Sequence, residues 1–147
     1  MSLIVGIQSI FRKTANQTVT ASTTLVSLGL LIPIAVNQKM HVRAVVPFTI
    51  GATGGFKFQF VVPAVPTSFN NVCTVIDTVT TGVLGTVQNS SAAFANALAV
   101  AGTHILYMDL DFVNGATAGN IDFQFACNSA ANAITVLLGA TVEAWIQ

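Results

Sequence analysis

Apolar and polar side chains alternate along two stretches near the middle of the chain. A period of two is expected for a β-strand with one buried face, because successive side chains point to opposite sides of the sheet. The apolar positions are Met40, Val42, Ala44, Val46 and Phe48 in the first stretch and Phe56, Phe58, Phe60 and Val62 in the second. The glycine-rich residues 51–55 between them predict a hairpin loop, and Pro63 with Pro66 ends the second strand.

The same alternation returns in the last third of the chain. Its apolar positions are Leu106, Met108, Leu110 and Phe112, followed by Ile121, Phe123 and Phe125. Residues 114–119 begin with Asn-Gly and end with Gly, which predicts a wide loop between two hairpin strands. Residues 135–138 and 141–146 are rich in Thr and Val and predict two short strands divided by Gly139.

The first third of the chain and one later segment are less regular. Residues 18–20 and 24–36 predict strands, and Pro33 requires a bulge, an edge position or a bend in the second of them. Residues 90–100 predict a short helix, because Ser90 is a suitable cap and the alanines that follow favour a helix. The same segment is also compatible with a strand.

Together these elements predict an all-β fold. About eight strands separated by turn residues are typical of an antiparallel jelly roll or β-sandwich. No repeat or linker divides the chain. We therefore assign residues 1–17 to an N-terminal arm or first strand and residues 18–147 to the jelly-roll domain.

Charged residues are scarce. Of the 147 residues 53% are hydrophobic, and only five are basic and five acidic. The charged share is 7%, against about 25% in an ordinary soluble domain. Because binding to phosphate needs clustered Lys and Arg, the net charge of zero argues against a nucleic-acid partner. A surface this poor in charge favours association, so we expect other subunits to cover much of it.

The apolar runs indicate neither a membrane span nor a secretion signal. The longest, residues 28–36, contains a glycine and a proline and is much shorter than the roughly 20 residues of a spanning helix. At the N-terminus, apolar residues 3–11 precede Arg12 and Lys13, which reverses the order of a signal peptide. We expect no membrane partner and synthesis in the cytoplasm.

Groups that could support catalysis are few, with two His and five acidic residues in the chain. Asp109 and Asp111 lie two residues apart in a predicted strand and so share a face, and His104 begins that strand. Such a pair can bind a divalent cation or act in acid-base chemistry, or it can be the solvated face of a sheet. We interpret His41 and His104 as surface residues.

The cysteines and the known motifs do not point to chemistry either. Cys73 and Cys127 form no Cys-x-x-Cys pattern, so we interpret both as buried thiols, with one long-range disulfide as the alternative. No P-loop, Rossmann glycine pattern or nucleophile elbow occurs. We predict a protein that is not an enzyme, without catalytic residues, metal site or cofactor.

Several predicted strands are apolar on both faces. The residues opposite the main apolar stripes are Val45, Pro47, Val61, Ile105, Tyr107 and Trp145. In a two-sheet sandwich only the inner face has to be apolar, so a second apolar face favours packing against another subunit. Scattered exposed hydrophobic residues, which are common on protein surfaces, are the alternative. We take these residues as the candidate subunit interface.

Three segments carry a resemblance to a known family: residues 54–60 (GGFKFQF) leading to Pro63, residues 114–126 (NGATAGNIDFQFA) and residues 135–145 (TVLLGATVEAW). From residue 39 onward the chain resembles small structural proteins of tailed phages that have a trimeric C1q/TNF-like jelly roll. Such sequences often have Gly-Ser before the last strand, where this chain has Gly-Ala-Thr. The resemblance implies a non-enzymatic homotrimer in a virion.

We therefore expect a phage head decoration, or cement, protein. It would bind the major capsid protein on the capsid exterior and stabilise the assembled shell by mass action and avidity, after synthesis in the host cytoplasm. The candidate capsid contacts are Leu3, Ile4, Val5, Ile7, Ile10, Phe11, Arg12 and Lys13, in an arm that adds a strand or a plug to the capsid. A plain first strand of the sandwich is the alternative for this segment.

Two other virion roles remain open. A receptor- or glycan-binding head of a tail fibre or baseplate needs an exposed aromatic platform, which only Trp145 and Tyr107 could supply. Another minor virion component is the third hypothesis. The shell protein of a small RNA virus would normally carry a basic arm, and two consecutive basic residues hardly form one.

Overall fold

The computed structural model describes residues 8–51, 55–63, 65–96 and 101–147, which form twelve β-strands and no helix. The strands are β1 (Gln8–Arg12), β2 (Gln17–Thr20), β3 (Val26–Ile34), β4 (Lys39–Ile50), β5 (Phe56–Val61), β6 (Ser68–Asp77), β7 (Val83–Gln88), β8 (Phe94–Asn96), β9 (Gly102–Val113), β10 (Gly119–Cys127), β11 (Ala133–Val136) and β12 (Thr141–Ile146). The predicted all-β fold is confirmed.

The strands form two antiparallel sheets. The large sheet has eight strands in the order β1-β12-β4-β9-β6-β7, with β11 beside β4 and β2 beside β11. The small sheet has four strands in the order β3-β10-β5-β8. The chain changes sheet repeatedly between β3 and β11, and the paired β6 and β7 extend the large sheet beyond β9. This arrangement is a β-sandwich of the jelly-roll type.

The inner faces of the two sheets form one hydrophobic core. The predicted inward positions of β4, β5, β9 and β10 are fully or nearly fully buried, which confirms the period of two. At the centre, the ring of Phe58 lies 5.1 Å from that of Phe48 across the sandwich and stacks 5.9 Å from that of Phe123. Each such aromatic pair adds about 0.5–1.5 kcal/mol beyond the burial of its area.

Both predicted hairpins are wrong. β4 pairs with β9, β11 and β12, whereas β5, the next strand along the chain, pairs with β10 and β8 in the other sheet. β9 and β10 are likewise in different sheets. The period of two shows which side chains point inward, but it does not show which strand is the neighbour in the sheet. Two consecutive strands that lie in opposite sheets both place their apolar side chains in the core, so they show the same alternation as the two strands of a hairpin. Residues 52–54 of the first connection lie outside the described residues.

The predicted helix at residues 90–100 is also wrong where the structure describes it. Phe94–Asn96 is strand β8, which pairs with Phe56–Phe58 of β5. Phe94 is buried, and its ring lies 5.3 Å from that of Phe56. Tertiary packing of this aromatic residue outweighs the helix propensity of the alanines around it. Residues 97–100 lie outside the described residues.

The position of Pro33 confirms one of the alternatives predicted for it. β3 is an edge strand that pairs only with β10 within the part of the chain that the structure describes, so a missing N–H at Pro33 is tolerated. The bulge in this strand lies instead at Gly29, between Ser27 and Leu31, where the register with β10 shifts. Gly29 has a φ of 77°, which favours glycine at that point.

The last two strands lie end to end along β4. β11 pairs with Phe48–Ile50 and β12 with Met40–Val45 of the same strand. Between them Gly139 adopts a φ of 88°, and the N–H of Leu137 still bonds to the carbonyl of Pro47 at 2.9 Å. The prediction of two strands divided by Gly139 is confirmed, with β11 beginning two residues earlier than expected.

Candidate functional site on the outer face of the large sheet

All but one of the predicted interface residues lie on the outer face of the large sheet. They are Val45, Pro47, Ile105, Tyr107 and Trp145. The register of β4 with β9 pairs Val45 with Tyr107 and Pro47 with Ile105, so these four side chains lie next to one another. Val61 lies on β5 in the small sheet and is not part of this group.

Strand β6 adds two residues to this surface. Ile76 pairs with Ile105, and Val72 lies one pair beyond Thr74, the partner of Tyr107. The exposed fractions are 43% for Val72, 36% for Ile76 and 38% for Tyr107, so the surface faces solvent in the single chain. We call the group Val45, Pro47, Val72, Ile76, Ile105 and Tyr107 the outer patch.

Sequence reasoning missed β6 because polar residues occupy two of its inward positions. Asn71 and Asp77 are both buried, and they share the inner face with Phe69, Cys73 and Val75. These two polar residues interrupt the apolar alternation that identified the other long strands. The apolar inward residues that remain, Phe69, Cys73 and Val75, are an even number of positions apart, and this partial alternation was the sequence signal for the strand.

A cluster of charged residues adjoins the outer patch on the same face. The His41 ring lies between two carboxylates, with Nε2 at 2.9 Å from Asp109 and Nδ1 at 2.9 Å from Asp111. Arg43 Nε donates to the second oxygen of Asp109 at 3.2 Å. Asp109 and Asp111 thus share a face, as predicted, and the half-exposed carboxylates face basic groups. Among the described residues, no group of three or more His, Cys, Asp and Glu is arranged to hold a metal ion.

Trp145 packs over this charged cluster. Its ring centroid lies 5.1 Å from that of His41, and the Arg43 guanidinium lies 6.0 Å from the ring. A guanidinium at this distance is attracted to the electron-rich face of the indole. Part of the Trp145 ring is therefore used within the chain, which reduces the aromatic area open to a ligand.

His104 is not a surface residue, so that interpretation is wrong. It is fully buried, and its ring lies 5.5 Å from that of Phe48. Nδ1 comes within 3.2 Å of an Asp77 oxygen, yet neither ring nitrogen makes a hydrogen bond of good geometry with the described residues. The position of His104 explains its burial, because it lies at an interval of two from Leu106 and belongs to the inner face of β9.

Asp77 organises the turn that follows β6. Its Oδ1 accepts the N–H of Val79 at 2.9 Å and that of Thr80 at 3.3 Å, and its Oδ2 accepts the Thr80 hydroxyl. The Thr80 hydroxyl, the N–H of Val79 and, more weakly, the N–H of Thr80 and nearby His104 lower the pKa of the Asp77 carboxyl. The carboxylate therefore has a structural role at this turn.

Both cysteines are buried free thiols, which confirms their predicted burial. Cys73 lies on β6 in the large sheet and Cys127 at the end of β10 in the small sheet. Burial raises the pKa of the Cys73 thiol to about 12. A thiol with this pKa is protonated and unreactive near neutral pH.

The candidate capsid contacts fall into two groups. Leu3, Ile4, Val5 and Ile7 lie outside the described residues. Ile10, Phe11 and Arg12 belong to β1, which is the edge of the large sheet and pairs with β12. Ile10 is 56% exposed, whereas Phe11 packs against the core. Lys13 donates to the carbonyl of Leu28 at 2.8 Å, so its ammonium group already binds within the chain.

An open cleft of about 400 Å³ lies at a different place, near the start of β6. It is lined by Val62, Val65, Pro66, Thr67, Ser68, Phe69, Asn89, Ser90 and Ser91. None of these side chains is ionisable at neutral pH, so the cleft offers no general acid or base. It does not meet the requirements of a catalytic site.

No protein-family model and no curated protein sequence matches this chain. The described residues also contain no helix that is long and apolar enough to cross a membrane. The features of the molecule that bear on its function are the fold, the outer patch and the charged cluster beside it.

Proposed function

We propose that this protein is a structural subunit of a virion, a phage head decoration (cement) protein that binds and stabilises the assembled capsid as a homotrimer. The outer patch is the observation that supports this proposal best. Five apolar side chains lie next to one another on a solvent-facing sheet, and Val72 lies at their edge, opposite Asp109, in a chain with only five basic and five acidic residues. Contiguous apolar surface of this kind is stabilised when another protein covers it.

The charged cluster fits the same role. His41, Arg43, Asp109 and Asp111 lie at one end of the outer patch and contact one another. Protein interfaces commonly have an apolar centre and a polar rim that remains in contact with water. The outer patch with the charged cluster has this layout within one sheet face.

The mechanism of stabilisation is mass action. A ligand that binds an assembled shell, but not its separated subunits, lowers the free energy of the assembled state. Three linked copies raise the apparent affinity without any new contact, because the second and third copies bind from a high local concentration. The edge strand β1 and the segment before it are the part of the chain that we propose contacts the capsid.

A pair of matched variants tests the self-association. Ile105→Lys places a charge in the outer patch, whereas Leu31→Lys places the same charge on the outer face of the small sheet, where Leu31 is 45% exposed. We expect Ile105→Lys to lose the trimeric contact, so that its sedimenting mass falls below that of the wild type, and Leu31→Lys to retain the oligomeric mass of the wild type. A wild-type protein that is monomeric and binds no particle would contradict the proposal.

Removal of the protein from the particle tests the cement role itself. We expect particles without it to lose shell integrity on heating or in low salt, while their adsorption to cells is unchanged. Intact heads that no longer attach to cells would instead support the receptor-binding role, for which Tyr107 and Trp145 lie on one exposed face.

A further inference from the structure

Among the strands that the structure describes, β7 is an edge of the large sheet without protecting features. Within the part of the chain that the structure describes it pairs only with β6, and its sequence VLGTVQ contains neither a charged residue nor a proline. The other edges have protecting features: β2 and β8 are short, β3 carries Pro33 and a bulge, and β1 ends in Arg12. A longer, uncharged edge strand is a template for pairing with another strand.

The backbone groups that point away from β6 can be assigned from the ladder. The N–H of Asp77 bonds to the carbonyl of Gly82 at 2.9 Å, and the register from there along β7 is continuous. Hydrogen-bonded and non-hydrogen-bonded pairs alternate in an antiparallel ladder. Leu84, Thr86 and Gln88 therefore bond to β6. The N–H and C=O groups of the alternate residues, which are Val83, Gly85 and Val87, point to the open side.

These outward-pointing residues are arranged symmetrically about Gly85. In an antiparallel pairing of two β7 strands centred on Gly85, Val83 lies opposite Val87 of the partner subunit, and Gly85 lies opposite the partner's Gly85. All of these residues present their N–H and C=O groups to the other strand, so every pair is of the hydrogen-bonded type. We propose that β7 joins two copies of this chain across a two-fold axis in this register, making one continuous sheet.

The side chains agree with a second copy as the occupant. Val83 and Val87 are 67% and 68% exposed and lie on the outer face, next to Ile76 and Val72 of β6. Pairing through Gly85 places each valine opposite a valine of the partner, without any charge to repel it. The resulting apolar stripe is continuous with the outer patch of both copies.

This inference goes beyond the proposed function and does not depend on it. The two-fold contact needs no capsid, and it uses the edge of the sheet rather than its outer face. In a decoration protein it would link neighbouring trimers, because a two-fold contact pairs one copy of each.

A cysteine pair tests the register directly. Gly85→Cys places a thiol opposite the partner's identical thiol, at a Cα separation of about 5.5 Å that is within disulfide reach. A Cβ at position 85 meets only ordinary contacts, and the native thiols are buried. Val87→Cys is the matched control, because its counterpart in the partner lies about four residues further along the strand. We expect mild oxidation to cross-link Gly85→Cys into a dimer and to leave Val87→Cys monomeric on a denaturing gel.

A pair of charged variants tests the association without any cross-link. Val83→Lys with Val87→Lys places like charges opposite each other at both outer pairs, whereas Val83→Glu with Val87→Lys places opposite charges there. We expect the dissociation constant of the two-fold contact, from sedimentation equilibrium, to rise at least about tenfold in the Lys/Lys variant and to stay near the wild-type value in the Glu/Lys variant.

Each of these results has an opposite that overturns the proposal. Failure of Gly85→Cys to cross-link, or equal cross-linking of Val87→Cys, excludes the register. An equal loss of association in both charged variants, or a wild-type chain whose mass never exceeds one copy, excludes β7 as a contact between copies. If Ile105→Lys separates the copies while the β7 variants leave them associated, this inference fails and the proposed function stands.

Discussion

The two histidines of this protein face carboxylates in very different surroundings. On the outer face His41 lies 2.9 Å from both Asp109 and Asp111, and those two carboxylates are 38% and 56% exposed. Inside the sandwich His104 is fully buried and lies 3.2 Å from Asp77. The His41 ring therefore has the closer carboxylate contacts, and the His104 ring is the one enclosed by the core.

A short distance to a carboxylate therefore does not determine how much a histidine contributes to the stability of the fold. Water competes with exposed ion pairs, so the cluster around His41 is worth about 0–1 kcal/mol per pair. Only a protonated ring can donate to both carboxylates at once. His104 instead fills core space against Phe48, while Asp77 is satisfied mainly by the turn at Val79 and Thr80. Removing the buried ring leaves a cavity, which is the larger loss.

The largest expected effect comes from truncating each ring in turn. His104→Ala should lower the free energy of unfolding by about 3 kcal/mol, because the large core side chain is lost and its space is only partly refilled. His41→Ala should lower it by about 0.5 kcal/mol, because its partners remain solvated. Urea unfolding of the two variants and the wild type measures both values. Equal losses would show that burial does not distinguish the two sites.

The second-largest expected effect is the loss of stability at low pH, which should be greater for the carboxylate beside His104 than for those beside His41. The pKa of Asp77 is lowered from its ordinary value of 3.8, first by the Thr80 hydroxyl and then by the Val79 N–H. A carboxyl whose pKa is lower in the folded state contributes stability that is complete above the unfolded pKa and is lost as the pH falls through the folded pKa. The wild type should therefore lose stability below about pH 4 more steeply than Asp77→Asn.

The measurement is the free energy of unfolding from about pH 6 down to about pH 2, in the range where carboxyl groups titrate. Asp111→Asn removes one carboxylate from the exposed cluster and serves as the matched control for the general effect of lost charge. Wild-type and Asp77→Asn curves that stay parallel below pH 4 would contradict the role assigned to the Asp77 turn.

His104 also shows how far the sequence predicts this structure. The alternation that placed Leu106 to Phe112 inward extends back to His104, so its burial was already implied by position. The burial of His104 was not predicted, because histidine was treated as a surface residue. In the same way, the buried polar residues Asn71 and Asp77 interrupt the apolar alternation of β6. The strand was therefore not predicted, nor were Val72 and Ile76 of the outer patch.

The pairing of strands, unlike the inward positions within a strand, could not be predicted from the sequence. Inward positions follow from local periodicity, and those of β4, β5, β9 and β10 were predicted from it. The pairing of β4 with β9 joins segments far apart in the chain, and nothing within either strand specifies the other. The grouping of Val45, Pro47, Ile105 and Tyr107 was therefore predictable as a face, whereas their contact with β6 needed the structure.

The smallest expected effect concerns the exposed site alone. A double-mutant cycle of Arg43→Ala and Asp109→Ala should give a coupling of about 0.5 kcal/mol, because the two side chains are 49% and 38% exposed and Arg43 also packs over Trp145. Raising the salt to about 1 M shortens the screening length to about 3 Å and should remove most of this coupling. A coupling above about 2 kcal/mol that salt leaves unchanged would mean that the charged cluster is buried in solution. Since the cluster adjoins the outer patch, the same cycle repeated at low and high protein concentration should show whether association covers it.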